Sequence, residues 1–237
     1  MSFGWLPNAF MSNDEAVWAS LDRGRAVLES FHQLNQYLWT HGLMIQAQWR
    51  CVMNRLPEVE RPVRLVDYGC GQGIAGLLIS ELTGGTALAN TSEIILIEPS
   101  AVAIARAEAI YRKLRPDGAV LLLKRYFDDI TQADIGAAVG GSTLHLFSNT
   151  LDVDGYDPLR LLSSTLRPGR HTTLAVSQHW EYPGGTPRFR QTKAAFEHPG
   201  KASQFTIRRS LFEDFKCGEN DKWDAVVWLC DLEVHNV

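Results

Sequence analysis

Residues 65–73 read Leu-Val-Asp-Tyr-Gly-Cys-Gly-Gln-Gly, an apolar run that ends in a carboxylate and in three glycines at alternate positions. The apolar run predicts a strand, and residues 74–82 behind the glycines predict a helix. Glycine lets the backbone approach a ligand where a side chain would collide, and a helix N-terminus presents unpaired N–H groups. In open α/β sheets, ligands bind at the carboxyl ends of the strands, so this segment predicts both a fold and a site.

Working outward, short apolar runs alternate with helical patterns along the rest of the chain. The runs that predict strands are residues 63–66, 94–97, 119–123, 144–147, 174–176 and 225–229. The early runs are nearly continuous, as in strands that are covered on both faces of a parallel sheet. Helical patterns lie between them, and Ser100 and Asp157 are the candidate N-caps of two of these helices. This alternation predicts a doubly wound α/β sheet with right-handed crossovers.

Both ends of the chain depart from this alternation. Residues 204–209 and 222–234 predict two strands that are joined by a loop, and strands joined in this way are typically antiparallel. Residues 13–55 predict helices, with breaks at Gly24 and Gly42, and Pro57 and Pro62 end this region. We therefore expect a mostly parallel seven-stranded sheet at 61–237 with an antiparallel C-terminal strand, and an N-terminal helical cover at 1–60.

Composition and charge are those of an ordinary globular protein. Of 237 residues, 45% are hydrophobic and 21% are charged, and the net charge is −4. The four cysteines form no CxxC pair, so we expect free thiols in a reducing compartment and no metal site. Residues 1–10 lack the charge and the apolar stretch of a signal peptide, and no apolar run reaches 18 residues. These features predict a cytoplasmic protein without a membrane span, and they leave the oligomeric state open.

Two ligands fit the glycine loop on sequence grounds. Residues 71–76 match the dinucleotide fingerprint GxGxxG, and Glu98 follows Gly76 at the spacing of the acid that binds a ribose. However, Asp67 lies two residues before the first glycine, where a carboxylate would repel a pyrophosphate. The same carboxylate would favour a cationic ligand that carries an amino group and a sulfonium. A third interpretation is a glycine loop that only makes a tight turn.

The Asp-x-Gly-x-Gly-x-Gly pattern of residues 67–73 closely resembles motif I of class I S-adenosylmethionine-dependent methyltransferases, which have a seven-stranded, Rossmann-like fold. The resemblance covers residues 60–237 and includes Glu98 at the end of the second strand and Leu-Arg-Pro-Gly at 166–169 before the fifth. It implies a methyltransferase that uses S-adenosyl-L-methionine and releases S-adenosyl-L-homocysteine. The alternatives are an NAD(P)-dependent oxidoreductase and a catalytically silent binding protein of the same fold.

The resemblance also implies roles for individual residues at the strand ends. It places Asp67, Gly69 and Gly71 around the methionine moiety, and Glu98 on the two ribose hydroxyls. In full, the cofactor-binding residues that it implies are Asp67, Gly69, Gly71, Gly73, Glu98, Pro99, Asp128 and Ser148.

Candidate catalytic residues follow the fourth and fifth predicted strands. Asn149 and Asp152 lie where the family places residues beside the transferable methyl, and Asp152 could reach a proton of the acceptor. His179 is a candidate general base because the ordinary pKa of histidine is near neutrality. It precedes Trp180 and Tyr182, which could form a wall of the acceptor site. The acceptor itself, whether a small molecule, an RNA or a protein, stays unidentified.

Charge is distributed unevenly along the chain. Residues 155–210 contain nine Lys or Arg and three Asp or Glu, a local charge of +6, whereas residues 211–237 and residues 1–154 each carry −5. A basic segment of this kind could bind RNA, and it could equally be the solvated face of helices and strands.

Overall fold

The computed structural model of the chain describes residues 14–56, 61–136, 140–182, 184–198, 200 and 204–235. Seven strands form one sheet in the order β3-β2-β1-β4-β5-β7-β6. Strands β1 to β5 pair in parallel, and β7 pairs antiparallel with both β5 and β6. The predicted sheet with its reversed C-terminal strand is therefore confirmed. The strands are Arg64–Tyr68, Glu93–Ile97, Ala119–Leu123, Ser142–Ser148, Gly169–Gln178, Phe205–Cys217 and Trp223–Val234, numbered β1 to β7.

Helices cover both faces of this sheet. They are Glu15–Ser20, Phe31–Arg55, Ile74–Leu82, Ala101–Leu114, Gln132–Ile135, Pro158–Thr165 and Thr186–Phe196, numbered α1 to α7. Helices α2, α3 and α4 pack in one hydrophobic cluster with one face of the sheet, and α5, α6 and α7 pack in a second cluster with the other face. Successive side chains of β1 therefore pack on opposite faces of the sheet, with Leu65 in the first cluster and Val66 in the second.

The helices after β2 and β4 begin where the sequence predicts, because their caps are local. Ser100 accepts a hydrogen bond from the N–H of Ala103 at 3.1 Å, and Asp157 accepts one from the N–H of Leu159 at 2.9 Å. Helix α7 has no counterpart among the predicted elements. Its buried apolar residues are Phe189 and Phe196, too widely spaced to give a helical pattern by themselves.

The predicted break at Gly42 is wrong, whereas the break at Gly24 is confirmed. Helix α2 runs without interruption for 25 residues through Gly42 and ends at Arg55. A glycine inside a helix costs only about 1 kcal/mol. Burial of Ile45 and Trp49 on the same helix offsets that cost, since both are at most 3% exposed. Pro57, the residue predicted to end the region, lies outside the described residues.

The expectation of coverage on both faces holds for β1 but not for β3. All five residues of β1 are buried, because two strands flank it and helices cover it on both sides. Strand β3 is an edge strand, and its residue Leu121 is 44% exposed. A continuous apolar run therefore does not distinguish an edge strand from a central one.

The described residues contain no helix that is both long enough and apolar enough to cross a membrane. All four cysteines are free thiols. Residues 1–10, which bear on the signal-peptide expectation, lie outside the described residues.

A buried chain of hydrogen bonds crosses three strands on the face opposite α2. Tyr68 Oη lies 3.0 Å from Nδ1 of His145, whose Nε2 lies 2.9 Å from Nδ1 of His171. Nε2 of His171 lies 2.7 Å from the carbonyl oxygen of Arg167. A single set of tautomers satisfies every contact: both imidazoles are neutral, each is protonated on Nε2, and Tyr68 donates. Burial lowers the pKa of both histidines, His145 most strongly, which is consistent with neutral rings.

We expect this chain of hydrogen bonds to make the protein less stable in mild acid. An unfolded histidine takes up a proton below about pH 6.5, whereas buried His145 does not, so the free energy of unfolding decreases as the pH falls from 7 to 5. His145→Gln should remove about one proton, or about 1.4 kcal/mol per pH unit, from this slope in urea titrations. The control His32→Gln changes an exposed histidine on α2 and should keep the slope. Equal slopes for His145→Gln and the unsubstituted protein would contradict this account.

Candidate functional site

The carboxyl ends of the parallel strands face the N-terminal cover across a cavity, called here the first cavity. Strand β1 contributes Asp67 and the glycine loop behind it, β2 contributes Glu98, and β4 contributes Ser148 and Asn149. The turn before α2 closes the opposite side. The lining residues are Gly24, Arg25, Ala26, Val27, Leu28, Tyr37, Ile45, Asp67, Gly69, Cys70, Gly71, Gln72, Ile74, Ala75, Glu98, Pro99, Ala103, Phe127, Ser148, Asn149, Thr150 and Val153.

The three glycines of the loop have different structural roles. Gly69, at φ +61°, would place a Cβ only 2.5 Å from Cγ2 of Thr150, so a side chain there is excluded by packing. A Cβ added to Gly71, at φ +49°, would have no neighbour within 4 Å, so this residue lines the cavity with backbone alone. Gly73 caps α3 at φ +78° and packs against Ala107, and it is not among the lining residues. The open backbone edge at Gly71 is the part of the loop that a ligand can approach.

Glu98 is held in place by the backbone of two neighbouring turns. Its Oε2 accepts the N–H of Gly71 at 3.1 Å, and its Oε1 accepts the N–H of Ser100 at 2.9 Å. Each carboxylate oxygen has a second lone pair, so the group can still accept two hydrogen bonds from a ligand in the cavity. Pro99 lines the cavity beside it. Burial raises the pKa of Glu98, and the two backbone donors oppose that rise.

Asp67 lies at the bottom of the same cavity, almost fully buried. Tyr111 of α4 donates its hydroxyl to Oδ2 of Asp67 at 2.7 Å. Burial raises the pKa of Asp67 to about 7; the Tyr111 hydrogen bond lowers it and the Glu98 carboxylate raises it. A Cβ at Gly76 would lie 2.1 Å from the Tyr111 hydroxyl oxygen. Gly76 is therefore needed to admit the tyrosine that supports Asp67.

The N-terminal cover is joined to the glycine loop and to the start of α4 by buried hydrogen bonds. Gln72 donates from Nε2 to the carbonyl of Leu34 at 2.8 Å, and Ser100 donates from Oγ to the carbonyl of Leu28. Both Gln72 and Ser100 are buried. Because these side chains of the sheet domain bind carbonyls of the cover, the cover and the strand ends form one structural unit.

The end of β4 is joined to α2 in the same way. Trp49 donates from Nε1 to Oγ of Ser148 at 3.0 Å. Asn149 donates from Nδ2 to Gln48 at 3.3 Å and accepts the N–H of Gln178 on its Oδ1 at 3.2 Å. Asn149 has φ +53°, a left-handed conformation that asparagine tolerates better than most residues. Ser148 and Asn149 thus both line the first cavity, next to α2.

A second cavity adjoins the first between α2 and the ends of β4 and β5. Its lining consists of Gly24, Arg25, Tyr37, His41, Met44, Asn149, Asp152, Val153, Gln178, Trp180 and Tyr182. Five of these residues also line the first cavity: Gly24, Arg25, Tyr37, Asn149 and Val153. The two cavities therefore share a wall, and a molecule in one would lie beside a molecule in the other.

A carboxyl group and a phenol hydroxyl lie at these cavities, since Asp152 lines the second cavity and Tyr37 lies on the shared wall. Ser177 donates to Oδ1 of Asp152 at 2.6 Å, and burial raises the pKa of Asp152 despite that bond. Burial, followed by the carboxylates of Glu98 and Asp152, raises the pKa of Tyr37 to about 12. Tyr37 therefore remains a hydroxyl at neutral pH, available as a donor or acceptor to either cavity.

Besides Gly73, the predicted site residues Asp128 and His179 are absent from the lining of both cavities. Phe127 lines the first cavity from the loop after β3, whereas Asp128 faces solvent with its carboxylate 3.9 Å from Arg160. His179 places Nε2 2.9 Å from Glu181 and Nδ1 3.9 Å from Asp214. Both residues are thus placed by contacts with neighbouring charged side chains outside the described lining of the two cavities.

The contribution of α2 to the site is not among the sequence-based expectations. Tyr37, His41, Met44 and Gln48 lie at intervals of three or four residues and so form one stripe along the helix. The first three line the second cavity, and Gln48 binds Asn149 beside it. The stripe crosses Gly42, so the predicted break at that residue concealed its periodicity.

The basic segment is largely neutralised by the fold. Strand β6 pairs with the acidic strand β7, so that Arg209 lies 2.5 Å from Asp231 and Arg208 pairs with Glu233. On α7 and beside it, the pairs are Arg188 with Asp154, Arg190 with Glu181 and Lys193 with Glu197. Lys201 lies outside the described residues. The local +6 of the sequence is therefore not a continuous positive surface over the part of the segment that the structure describes.

Comparison with known proteins gives a curated relative and several similar folds. No family model matches the chain. The ribosomal RNA large subunit methyltransferase G of Streptomyces avermitilis is 25% identical over 136 residues, which are 56% of this chain and 33% of that protein. The match thus spans about a third of the length of the relative.

Solved structures with similar folds include two methyltransferases. The plantazolicin methyltransferase BpumL in complex with SAH is 12% identical, with a TM-score of 0.49 and coverage of 98% of this chain and 94% of that one. A SAM-dependent methyltransferase from Leishmania major is 14% identical, with a TM-score of 0.46 and coverage of 97% and 91%. The resemblance to class I methyltransferases thus rests on the observed strand order, on motif I and on the curated relative.

The support of Asp67 by Tyr111 can be tested without a ligand. Tyr111→Phe removes the donor that lowers the carboxyl pKa, so we expect the pKa of Asp67 to rise above about 7. Carbon-detected NMR titration of the carboxyl would measure it. Tyr156→Phe is a matched control, since Tyr156 donates to the carbonyl of Thr150 at 2.8 Å and makes no bond to Asp67. An unchanged Asp67 pKa in Tyr111→Phe would refute the coupling.

Proposed function

We propose that this chain is an S-adenosylmethionine-dependent methyltransferase whose cofactor binds in the first cavity. The observation that carries the proposal is that two carboxylates, Asp67 and Glu98, line one cavity together with the open backbone of Gly71, whose N–H binds Glu98. Adjacent parallel strands β1 and β2 end at this point, the usual ligand position in an open α/β sheet.

The residues present fit such a cofactor. The free lone pairs of Glu98 suit a vicinal diol, as in a ribose, and Asp67 suits a positively charged amino group. The backbone at Gly71 leaves space that a side chain would fill. When bound, the cofactor supplies an electrophilic methyl group on a sulfonium. The chain supplies binding, orientation and exclusion of water, since in-line displacement depends mostly on alignment.

A dinucleotide suits the site less well. In a dinucleotide fold the last glycine of the fingerprint allows close packing of helix and strand, whereas Gly76 here admits the Tyr111 hydroxyl that binds Asp67. A buried carboxyl beneath the loop would oppose a pyrophosphate there once it ionised. These contacts favour the methyltransferase over the NAD(P)-dependent oxidoreductase. The catalytically silent alternative is distinguished by turnover and not by binding.

We place the methyl acceptor in the second cavity. Asn149 lies on the wall that both cavities share, and Asp152 faces the acceptor side, so both stay candidates for contact with the reacting groups. We propose no such role for His179 or Asp128. The curated relative is a ribosomal RNA methyltransferase, which makes RNA one acceptor to test beside small molecules and proteins.

Calorimetric titration with S-adenosylhomocysteine tests the proposal directly. Loss of a hydrogen-bonded charge costs about 1.5–3 kcal/mol, so we expect Asp67→Asn and Glu98→Gln each to weaken binding by about 10- to 100-fold. Glu108→Gln is the matched control, because Glu108 lies on α4 away from the cavity and pairs with Arg112. Binding of NAD(H) with no binding of S-adenosylhomocysteine would overturn the proposal.

The raised pKa of Asp67 predicts proton-linked binding. An amino group on the ligand favours the ionised carboxylate, whereas the free protein holds a proton on Asp67 below about pH 7. Binding therefore releases this proton, and affinity should increase about tenfold from pH 6 to pH 8. Titration in buffers of different ionisation enthalpy measures the release. Asp67→Asn should abolish the pH dependence, and a dependence that persists in this variant would assign it to another group.

A further inference from the structure

We propose that the second cavity binds a planar aromatic small molecule that carries an O–H or N–H group, and that His41 accepts the proton this group loses on methylation. The inference rests on the methyl transfer proposed above and names its acceptor class and its base. His41 lies on α2 and lines this cavity together with Tyr37 and Asp152.

Exposed aromatic rings at the mouth of the cavity indicate a planar ligand. Trp180 is 47% exposed and Tyr182 is 43% exposed, although both line the cavity. Their ring centroids are 6.4 Å apart and the rings are tilted by 60°, so they form two sides of a corner. Tyr37 adds a third ring from the helix side. Aromatic surfaces left open at a concave site favour stacking with another aromatic ring.

The loop that carries these rings holds them in position before any ligand binds. Thr186 accepts the N–H of Trp180 on its Oγ1 at 3.0 Å and donates its own N–H to the carbonyl of Trp180 at 2.8 Å. Gly185 donates to the carbonyl of Tyr182 at 2.8 Å, and a Cβ on Gly185 would lie 2.5 Å from the carbonyl oxygen of Trp180. The exposed rings therefore belong to a hydrogen-bonded turn, which reduces the entropy cost of binding.

His41 has the properties of a base that faces this site. Neither of its ring nitrogens has a hydrogen-bond partner among the described residues, although the ring packs on Tyr37 at a centroid distance of 4.9 Å. Gly24 lies against the ring and leaves space beside Nε2, since a Cβ there would lie 3.4 Å from that nitrogen. Burial lowers the pKa of His41, so the ring is neutral and can accept a proton at neutral pH.

The proton and electron count of the step is simple. The acceptor oxygen or nitrogen forms its bond to the methyl group as its bond to hydrogen breaks, and the proton goes to His41. The electron pair of the broken methyl–sulfur bond stays on the sulfur of the donor. The other ionisable groups that line the cavity are Tyr37 on the same helix, Arg25 in the turn before it, Asp152 after β4 and Tyr182 after β5. Asp152 would stabilise the imidazolium that forms.

Charge around the mouth favours a small molecule over a nucleic acid. Glu181 follows the lining residue Trp180 and Asp154 follows the lining residue Val153, so two carboxylates lie next to the lining of the cavity. Their cationic partners are already engaged: Arg190 lies 3.0 Å from Glu181, and Arg188 donates to the carbonyls of Val153 and Tyr156. RNA binding depends on cations that are free to contact phosphates.

The experiment uses 4-nitrophenol as the probe, because its visible absorption distinguishes phenol from phenolate. The full chain is first saturated with S-adenosylhomocysteine, and 4-nitrophenol is then titrated in at constant pH. We expect part of the bound probe to be phenolate that has formed by transfer of its proton to His41. In His41→Gln the bound ratio of phenolate to phenol should fall about tenfold, equivalent to one pKa unit, while S-adenosylhomocysteine binding is unchanged.

Two further variants distinguish the role of His41 as a base from the role of the aromatic rings in binding the probe. His32→Gln makes the same substitution at an exposed position of the same helix and should leave both probe binding and the phenolate share unchanged. Trp180→Ala should weaken probe binding and leave S-adenosylhomocysteine binding intact, since Trp180 lines only the second cavity.

The outcomes distinguish this inference from the proposed function. Failure of the chain to bind S-adenosylhomocysteine would overturn the function itself. Binding of S-adenosylhomocysteine without binding of 4-nitrophenol would overturn the acceptor class, as would tight binding of a mixed-sequence single-stranded RNA in place of the phenol. A phenolate share that is equal in His41→Gln and the unsubstituted chain would overturn the role of His41.

Discussion

The buried hydrogen bond between Tyr111 and Asp67 is the constraint on which the cofactor side of the site depends. It places a carboxyl at the bottom of the first cavity, and it joins α4 to β1. Gly76 must lack a side chain to admit the tyrosine, and Gly73 must lack one to admit Ala107. Together with Gly69, whose Cβ would meet Thr150, three glycines of the loop region are therefore explained by packing, and Gly71 is left as the position where a ligand can approach the backbone.

The helical cover at the N-terminus belongs to the site as much as the sheet does. Carbonyls of Leu28 and Leu34 accept hydrogen bonds from Ser100 and Gln72, which belong to the turns that hold Glu98 and the glycine loop. Movement of the cover would break buried hydrogen bonds next to both carboxylates. The wall shared by the two cavities, with Tyr37 at its centre, exists only because α2 is fixed in this way.

Features that depend on neighbouring residues can be predicted from the sequence, whereas features that depend on contacts between distant segments cannot. The starts of α3 and α4 follow from glycine and serine caps, and the strand order follows from motif I through its resemblance to a known family. The exposure of β3, the continuity of α2 through Gly42 and the pairing of Arg209 with Asp231 depend on contacts between distant segments. The sequence does not predict a role for His41 for the same reason. The stripe of α2 that contains His41 lines a cavity only because α2 packs against the ends of β4 and β5.

The carboxylates of the first cavity would give a methyl donor and its product different affinities for the site. Asp67 and Glu98 face the first cavity, and both have pKa values raised by burial, so each gains from a nearby positive charge. A sulfonium ligand supplies that charge in addition to the charge of its amino group, whereas the thioether that remains after transfer keeps only the amino group. Under the proposed function, the attraction to the carboxylates therefore weakens as the methyl group leaves. Burial disfavours the ionised form of both acids, and it thus favours binding of the sulfonium donor over its thioether product.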